Sequence, residues 1–224
     1  MTWIDILKLE MNKLLGKNFI IFMGAPGSGK TTIRKHFPGY IIASPDDIRM
    51  RILKFEETGV SYDPKIEPDI WDEAYLKVDE SLAKNKNIIF DSTATTLIRR
   101  YELNGRARKY HYNIIIIFMN TTLLELAKRN VSRKKPVPDQ PIGRLIGQLT
   151  YPKYWEYDIF VDVQEAGYKL YVCKPIKNYK TLELANLTDT DSPAINFKET
   201  LKYDNKHITK SSINKSKGNI KGAN

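Results

Sequence analysis

The chain has 224 residues, 42% of them hydrophobic, with a single cysteine and a formal net charge of +10. That length and apolar content can fill one well-packed core, and one cysteine excludes an internal disulfide framework, as expected of a reducing cytoplasmic setting. No apolar run approaches the roughly 18 residues of a membrane span and no cleavable leader pattern opens the chain, so neither membrane nor secretion is expected, while the positive charge favours polyanionic partners.

In chain order, apolar residues at 3, 4, 7, 11, 14 and 15 predict a helix over residues 2–15. Residues 19–23, Phe-Ile-Ile-Phe-Met, have the length and β-rich composition of a buried strand. Residues 24–31 then read Gly-Ala-Pro-Gly-Ser-Gly-Lys-Thr, a full match to the phosphate-binding pattern G-x-x-x-x-G-K-[ST], and residues 30–37 can start a helix. Strand, loop and helix together are the context this motif requires. Its glycines let the backbone wrap a polyphosphate, so Gly24, Ala25, Pro26, Gly27, Ser28, Gly29 and Thr32 are expected to line it. Lys30 would reach the β- and γ-phosphates, and Thr31 would place its hydroxyl on a bridging magnesium ion, so ATP and Mg2+ are the expected cofactors.

Farther on, residues 40–44 predict a second strand, and 46–55 a helix capped by Ser-Pro-Asp-Asp. Residues 67–85 predict a helix opened by Pro68, 87–91 a third strand, 96–110 a helix, 113–119 a strongly apolar strand, and 122–132 a helix. Lys134-Lys135-Pro136-Val137-Pro138 breaks the helical pattern, and a helix at 142–149 with short strands at 159–163 and 168–173 closes the series. Alternation of this kind predicts an α/β fold, a P-loop NTPase-type parallel sheet with helices on both faces and a helical lid. The expected organisation is an N-terminal helix at 1–17, one domain at 18–175 with the lid at about 129–141, and a basic, disordered tail at 176–224. Residues 205–224 hold five lysines and no acid, read either as a solubilising end or as a nonspecific nucleic-acid tether.

Ligands of such sheets bind beyond the carboxyl ends of the strands, which singles out residues 24–31, 44–47, 91–95 and 120–122. Phosphoryl transfer to an alcohol needs a base for the hydroxyl, cations on the moving group, and exclusion of water. Asp46 and Arg49, three apart at a helix start, can share a face as base and phosphate grip. Both Asp46 and Asp47 could instead be helix caps and Arg49 a surface charge; of the pair, Asp47 reads as the cap. Asp91 stands where P-loop enzymes often keep an acid on magnesium or its water, or it is a turn aspartate. Lys128, Arg129, Arg133, Lys134 and Lys135 form a basic cluster in which Arg129 and Arg133, four apart, either close over the phosphates or form a wet face. The aromatics of Tyr151-Pro152-Lys153-Tyr154-Trp155 read as packing groups or as stacking platforms for bases.

These segments resemble the 5'-hydroxyl polynucleotide kinase branch of the P-loop kinases, which includes the kinase domain of phage-type polynucleotide kinases and relatives among tRNA and small-molecule kinases. The matching stretches are residues 24–32, Ser44-Pro45-Asp46-Asp47-Ile48-Arg49, Phe90-Asp91-Ser92-Thr93, residues 127–133 followed by Val137-Pro138, and residues 152–158, together spanning about 18–163. The resemblance implies that Asp46 is the general base for a 5'-hydroxyl, that Arg49 grips the acceptor strand's phosphate, and that Arg129 and Arg133 lie in a lid, the second touching the ATP phosphates. It also implies nucleic-acid 5'-hydroxyl ends, DNA or RNA, as partners and a setting in end repair. One departure is Ala94, where the family often has the asparagine of Asp-x-Thr-Asn. Asp189-Thr190-Asp191 follows no apolar strand and reads as loop rather than a phosphatase centre; a Lys-x-Asp-Gly ligase motif is missing, and His36, His111 and His207 with one cysteine make no zinc pattern. The expectation is a kinase without attached processing modules. A small-molecule or protein kinase, or an ATP-gated nucleic-acid-binding module, are the rival readings.

Overall fold

A computed structural model describes residues 1–59, 62–132, 137, 139–173 and 200–202. Seven strands, β1 (Asn18–Met23), β2 (Ile41–Ala43), β3 (Ile88–Asp91), β4 (Asn113–Met119), β5 (Ile159–Gln164), β6 (Gly167–Val172) and β7 (Thr200–Lys202), form one sheet in the order β2-β3-β1-β4-β5-β6-β7. The first five run parallel, as the alternation of strands and helices predicts. β6 departs from the parallel expectation and lies antiparallel to β5. Only Glu165 and Ala166 join them, enough for a hairpin but far short of the dozen or so residues of a parallel crossover. β7, within the stretch read as a tail, pairs antiparallel with β6; the rest of that stretch, with Asp189-Thr190-Asp191, lies outside the described residues.

Helices cover both faces: α1 (Trp3–Met11), α2 (Lys30–Arg34), α3 (Pro45–Ile52), α4 (Phe55–Thr58), α5 (Glu67–Ala83), α6 (Leu97–Lys109), α7 (Leu123–Val131) and α8 (Asp139–Gly147). Residues of opposite parity on β1 point to opposite layers. Phe19, Ile21 and Met23 join Ile48, Ile70, Val78 and Leu103 from α3, α5 and α6, while Ile20 and Phe22 join Leu7 and Met11 of α1 and Phe37. With both faces covered, the central strands are continuous apolar runs rather than alternating ones. α1 starts where Thr2 and Asp5 form a reciprocal capping box, and it ends at Met11, short of the predicted residue 15. α2 is also shorter than expected, because Phe37 turns into the core and Pro38 follows it. Among the described residues, no helix is long and apolar enough to cross a membrane.

One polar knot crosses this apolar frame. Arg100 of α6 is fully buried, and its Nε donates to Glu156 Oε2 at 2.7 Å. Its Nη1 donates to the carbonyls of Ala94 and Thr95, each at 3.1 Å, and its Nη2 to Thr150 Oγ1 at 3.2 Å. The same Glu156 accepts the Lys153 amide at 2.6 Å, so a single carboxylate fixes both the α6 arginine and the turn at Tyr154–Glu156. Removing one partner of a buried ion pair strands the other charge, at about 3–5 kcal/mol. Glu156→Leu is therefore expected to lower unfolding free energy by that amount in urea titrations, and a loss under about 1 kcal/mol would show that Arg100 does not depend on it.

Candidate active site

β1 ends in the centre of the sheet, between β3 and β4, so the loop after it occupies the crevice where the strand order reverses. The Gly24 amide donates to the Thr93 carbonyl at 2.9 Å. A Cβ on Gly24 would lie 2.7 Å from Met119 O and 2.9 Å from Ser28 Oγ, and its φ of +139° is one that other residues rarely adopt. Only glycine allows the chain to pass here. Gly29, at φ +102°, is the N-cap of α2 and turns the loop into that helix. The first amides of a helix have no partner inside it, so they remain available to an anion. Lys30 lays its ammonium along the loop, with Nζ 2.8 Å from Gly24 O and 2.9 Å from Ala25 O. Ser28 Oγ is buried within the loop and has no hydrogen-bond partner among the described residues. Thr31 and Thr32, on the first turn of α2, are exposed.

A second wall of the crevice is built by α3. Its N-cap is Ser44, whose Oγ accepts the Asp47 amide at 3.1 Å, so Asp47 is not the cap that the sequence suggests. The Asp47 carboxylate instead pairs with Arg34 Nη1 at 2.7 Å, and the same Nη1 lies 3.1 Å from Asp91 Oδ2. Arg34, one turn after Lys30, thus bridges α3 to the end of β3. Asp91 is buried, and burial pushes its carboxyl above the usual carboxylate range against the pull of Lys30 and Arg34. Asp46 and Arg49 are brought together: Arg49 Nη1 pairs with Asp46 Oδ1, whose side chain is 79% exposed. Arg49 Nε and Nη2 form a fork on Glu67, at 2.6 and 2.9 Å.

The far wall comes from α7, capped by Thr122. Arg129 Nε donates to Glu125 Oε1 at 2.8 Å, and its Nη1 reaches Ser28 O at 3.4 Å, which sets the guanidinium on the phosphate loop. Next to it, the Asn130 side-chain amide donates to Val137 O at 2.7 Å and accepts the Val137 amide at 2.8 Å, closing the expected lid segment at its base. Arg133, Lys134 and Lys135 lie outside the described residues. Asn120 Nδ2 donates to the Tyr151 hydroxyl at 2.8 Å, and Tyr151 meets Phe118 edge to face while half of it stays exposed.

Two members of this constellation escape sequence inspection. Glu67 is 18 residues from Arg49 and carries no spacing signal, whereas Arg34 is four residues from Lys30 on one helix and could have been noticed. Ala94 sits at φ +40°, a left-handed conformation that asparagine tolerates better than alanine. Among the described residues no three acidic, histidine or cysteine side chains cluster as a metal cage. Magnesium is commonly held by one or two carboxylates together with substrate phosphates and water. Asp91, at the end of β3 against which α2 packs, and the exposed Thr31 are donors of that type.

Sheet order, loop and helix define a P-loop nucleotide-phosphate-binding domain. The chain belongs to the AAA domain family, whose model matches residues 19–150. It is 28% identical over 151 residues to the L-seryl-tRNA(Sec) kinase of Methanococcus maripaludis, covering 65% of this chain; it spans only 59% of that relative. A chain in the structure of the Pnkp1/Rnl/Hen1 RNA repair complex is 24% identical, with a TM-score of 0.51 over 60% of this chain and 44% of that one, a likeness of fold. A gluconokinase from Sinorhizobium meliloti 1021 is 18% identical, with a TM-score of 0.46 over 65% of this chain and 82% of that one. Gly24→Ala should cost more than about 1 kcal/mol of stability and weaken ATP binding at least tenfold, because a methyl group there strikes backbone. Gly39→Ala, also at positive φ but with nothing within 4 Å, is the matched control, and equal ATP affinity in the two variants would refute the steric account.

Proposed function

We propose that the protein transfers the γ-phosphoryl group of ATP to the 5'-hydroxyl of DNA or RNA. The observation that carries this reading is the presentation of the Asp46–Arg49 pair at the start of α3, tied by Asp47 and Arg34 to the helix that leaves the phosphate loop. In this reading the loop amides and Lys30 hold the β- and γ-phosphates. Thr31 and Asp91 would hold a magnesium ion, which would neutralise phosphate charge as it shifts. Asp46 accepts the proton of the 5'-hydroxyl; the freed oxygen forms its bond to the γ-phosphorus while the bond to the β–γ bridging oxygen breaks, and ADP departs with that electron pair. Arg49 takes the acceptor phosphate beside that hydroxyl, exchanging part of its pairing with Glu67. Arg129, already on Ser28 O, and Arg133 close over the transferring group.

The likeness to the L-seryl-tRNA(Sec) kinase favours a second acceptor, the free side-chain hydroxyl of a serine whose carboxyl is esterified to tRNA, rather than a strand end. Both acceptors are separated by one assay with γ-labelled ATP, magnesium, 5'-hydroxyl DNA and RNA oligonucleotides, their 5'-phosphorylated counterparts, and seryl-tRNA. Label confined to 5'-hydroxyl ends is the expected result; label only on the seryl ester would replace this reading. Asp46→Asn should lower kcat at least 100-fold while ATP binding stays nearly intact, and turnover within about tenfold of the parent would remove Asp46 as the base.

A further inference from the structure

Three helices begin at the carboxyl edge of β2 and β3: α3 with Asp46 and Arg49, α5 with Glu67, and α6 behind its cap Thr96. One turn into α5 from Glu67 stands Trp71. In the first turn of α6, Arg99 lays its guanidinium over the Trp71 ring, 3.9 Å from the centroid. Trp71 and Tyr75 rest on Phe90, with ring centroids 6.3 and 5.9 Å away, and Phe90 directly precedes Asp91. Arg99 Nη1 also donates to the Tyr75 hydroxyl, which donates in turn to Glu102 at 3.0 Å. The guanidinium plane is therefore fixed on two sides, yet a third of its side chain, 33%, remains exposed. Among the described residues its one charged partner is Glu102, at 3.7 Å and half exposed, a surface pair that offsets little of the positive charge.

Arg49 is differently placed. All three of its nitrogen positions pair with Asp46 and Glu67, so the charge nearest the proposed base is already balanced. A polymer acceptor extends away from the base and needs a cation farther along, whereas a small acceptor does not. Resting on the proposed function above, we infer that Arg99, stacked on Trp71, is a second acceptor subsite that binds a single-stranded nucleic acid one nucleotide beyond the reacting end. The guanidinium edge meets the internucleotide phosphate, and its open face takes the neighbouring base. Arginine is suited to both roles because it is planar, permanently charged and weakly hydrated. Trp71 is a positioning residue, holding that plane in place before the strand arrives.

The test compares two 5'-hydroxyl acceptors in the intact protein, a single-stranded decamer and a nucleoside 3'-monophosphate, with γ-labelled ATP. The ratio of their kcat/KM values measures what the strand beyond the first nucleotide contributes. Arg99→Ala should shrink the preference for the decamer about tenfold and reduce the dependence of log KM on log salt by about 0.7. Arg99→Lys, which keeps the charge without the plane, should fall between the two. Decamer binding should quench tryptophan fluorescence in the parent, and Trp71→Phe, a mild change that keeps the ring contact with Phe90, should lose most of that quench. A decamer preference within twofold of the parent in Arg99→Ala, or an unchanged quench in Trp71→Phe, would overturn the subsite while leaving the kinase reading standing. If the parent labels neither acceptor, the proposed function fails and the subsite fails with it.

Discussion

Backbone meets backbone at Gly24, and the rest of the site is referred to that contact. Its amide is held by Thr93 O beyond the end of β3, and its Cα lies so close to Met119 O of β4 that no side chain fits between them. Three strand ends are thereby fixed to a common point. The phosphate loop cannot shift without moving the Asp91 turn on one side or the start of the α7 connection on the other. Lys30, folded along the carbonyls of Gly24 and Ala25, takes its position from the same backbone. Preorganisation of this kind lets a charge act in a transition state without first being reoriented.

Adjacent arginines of α6 divide the labour behind that contact. Successive helix residues point about 100° apart, so Arg100 enters the core while Arg99 lies across the aromatic surface. Arg100 takes the carbonyls of Ala94 and Thr95, and those residues continue the segment whose Thr93 O holds Gly24. Thr95 O also accepts the Thr150 amide at 2.9 Å, which ties this turn to the chain leading into Glu156. A buried ion pair adds little net stability over an apolar pair of similar shape. Its effect here is geometric: a fully buried guanidinium with this set of acceptors admits one arrangement of the turn. The strained backbone of Ala94, at φ +40°, is held in that arrangement.

Much of the fold is legible in the sequence because apolar period and motif agree. β4 occupies the predicted residues 113–119, and the helix after the third strand differs from its predicted span by one residue at each end. What escapes inspection depends on partners distant in the chain. Asp47 looks like a cap because helix starts favour aspartate; with Ser44 already taking its amide, the carboxylate is left to Arg34. Glu67 has no local signature because its role is to hold an arginine from another helix. The hairpin of β5 and β6 is readable from the four residues between the predicted strands, too few for a parallel crossover, but alternation of strands and helices suggests parallel pairing throughout. In the candidate site, sequence order brings the loop, Asp46, Arg49, Asp91 and Arg129 to one edge of the sheet, and the ion pairs that set their angles emerge only in three dimensions.

Arg34 makes the two sides of the site unequal. One of its pairings is with Asp91, buried at the end of a central strand, and the other with Asp47, more than half exposed on α3. Water screens the exposed contact far more than the buried one. The phosphate side is consequently anchored through Asp91, while α3, and Asp46 with it, is linked by the weaker half of the bridge. Glu67 supplies a second tie through Arg49, and that tie leads to α5 rather than to the loop. Helix α3 is therefore positioned chiefly by α5, against which it packs. In the proposed function, acceptor recognition can vary there while the phosphate-binding half stays fixed, which puts the residues that choose the substrate on α3, α5 and α6.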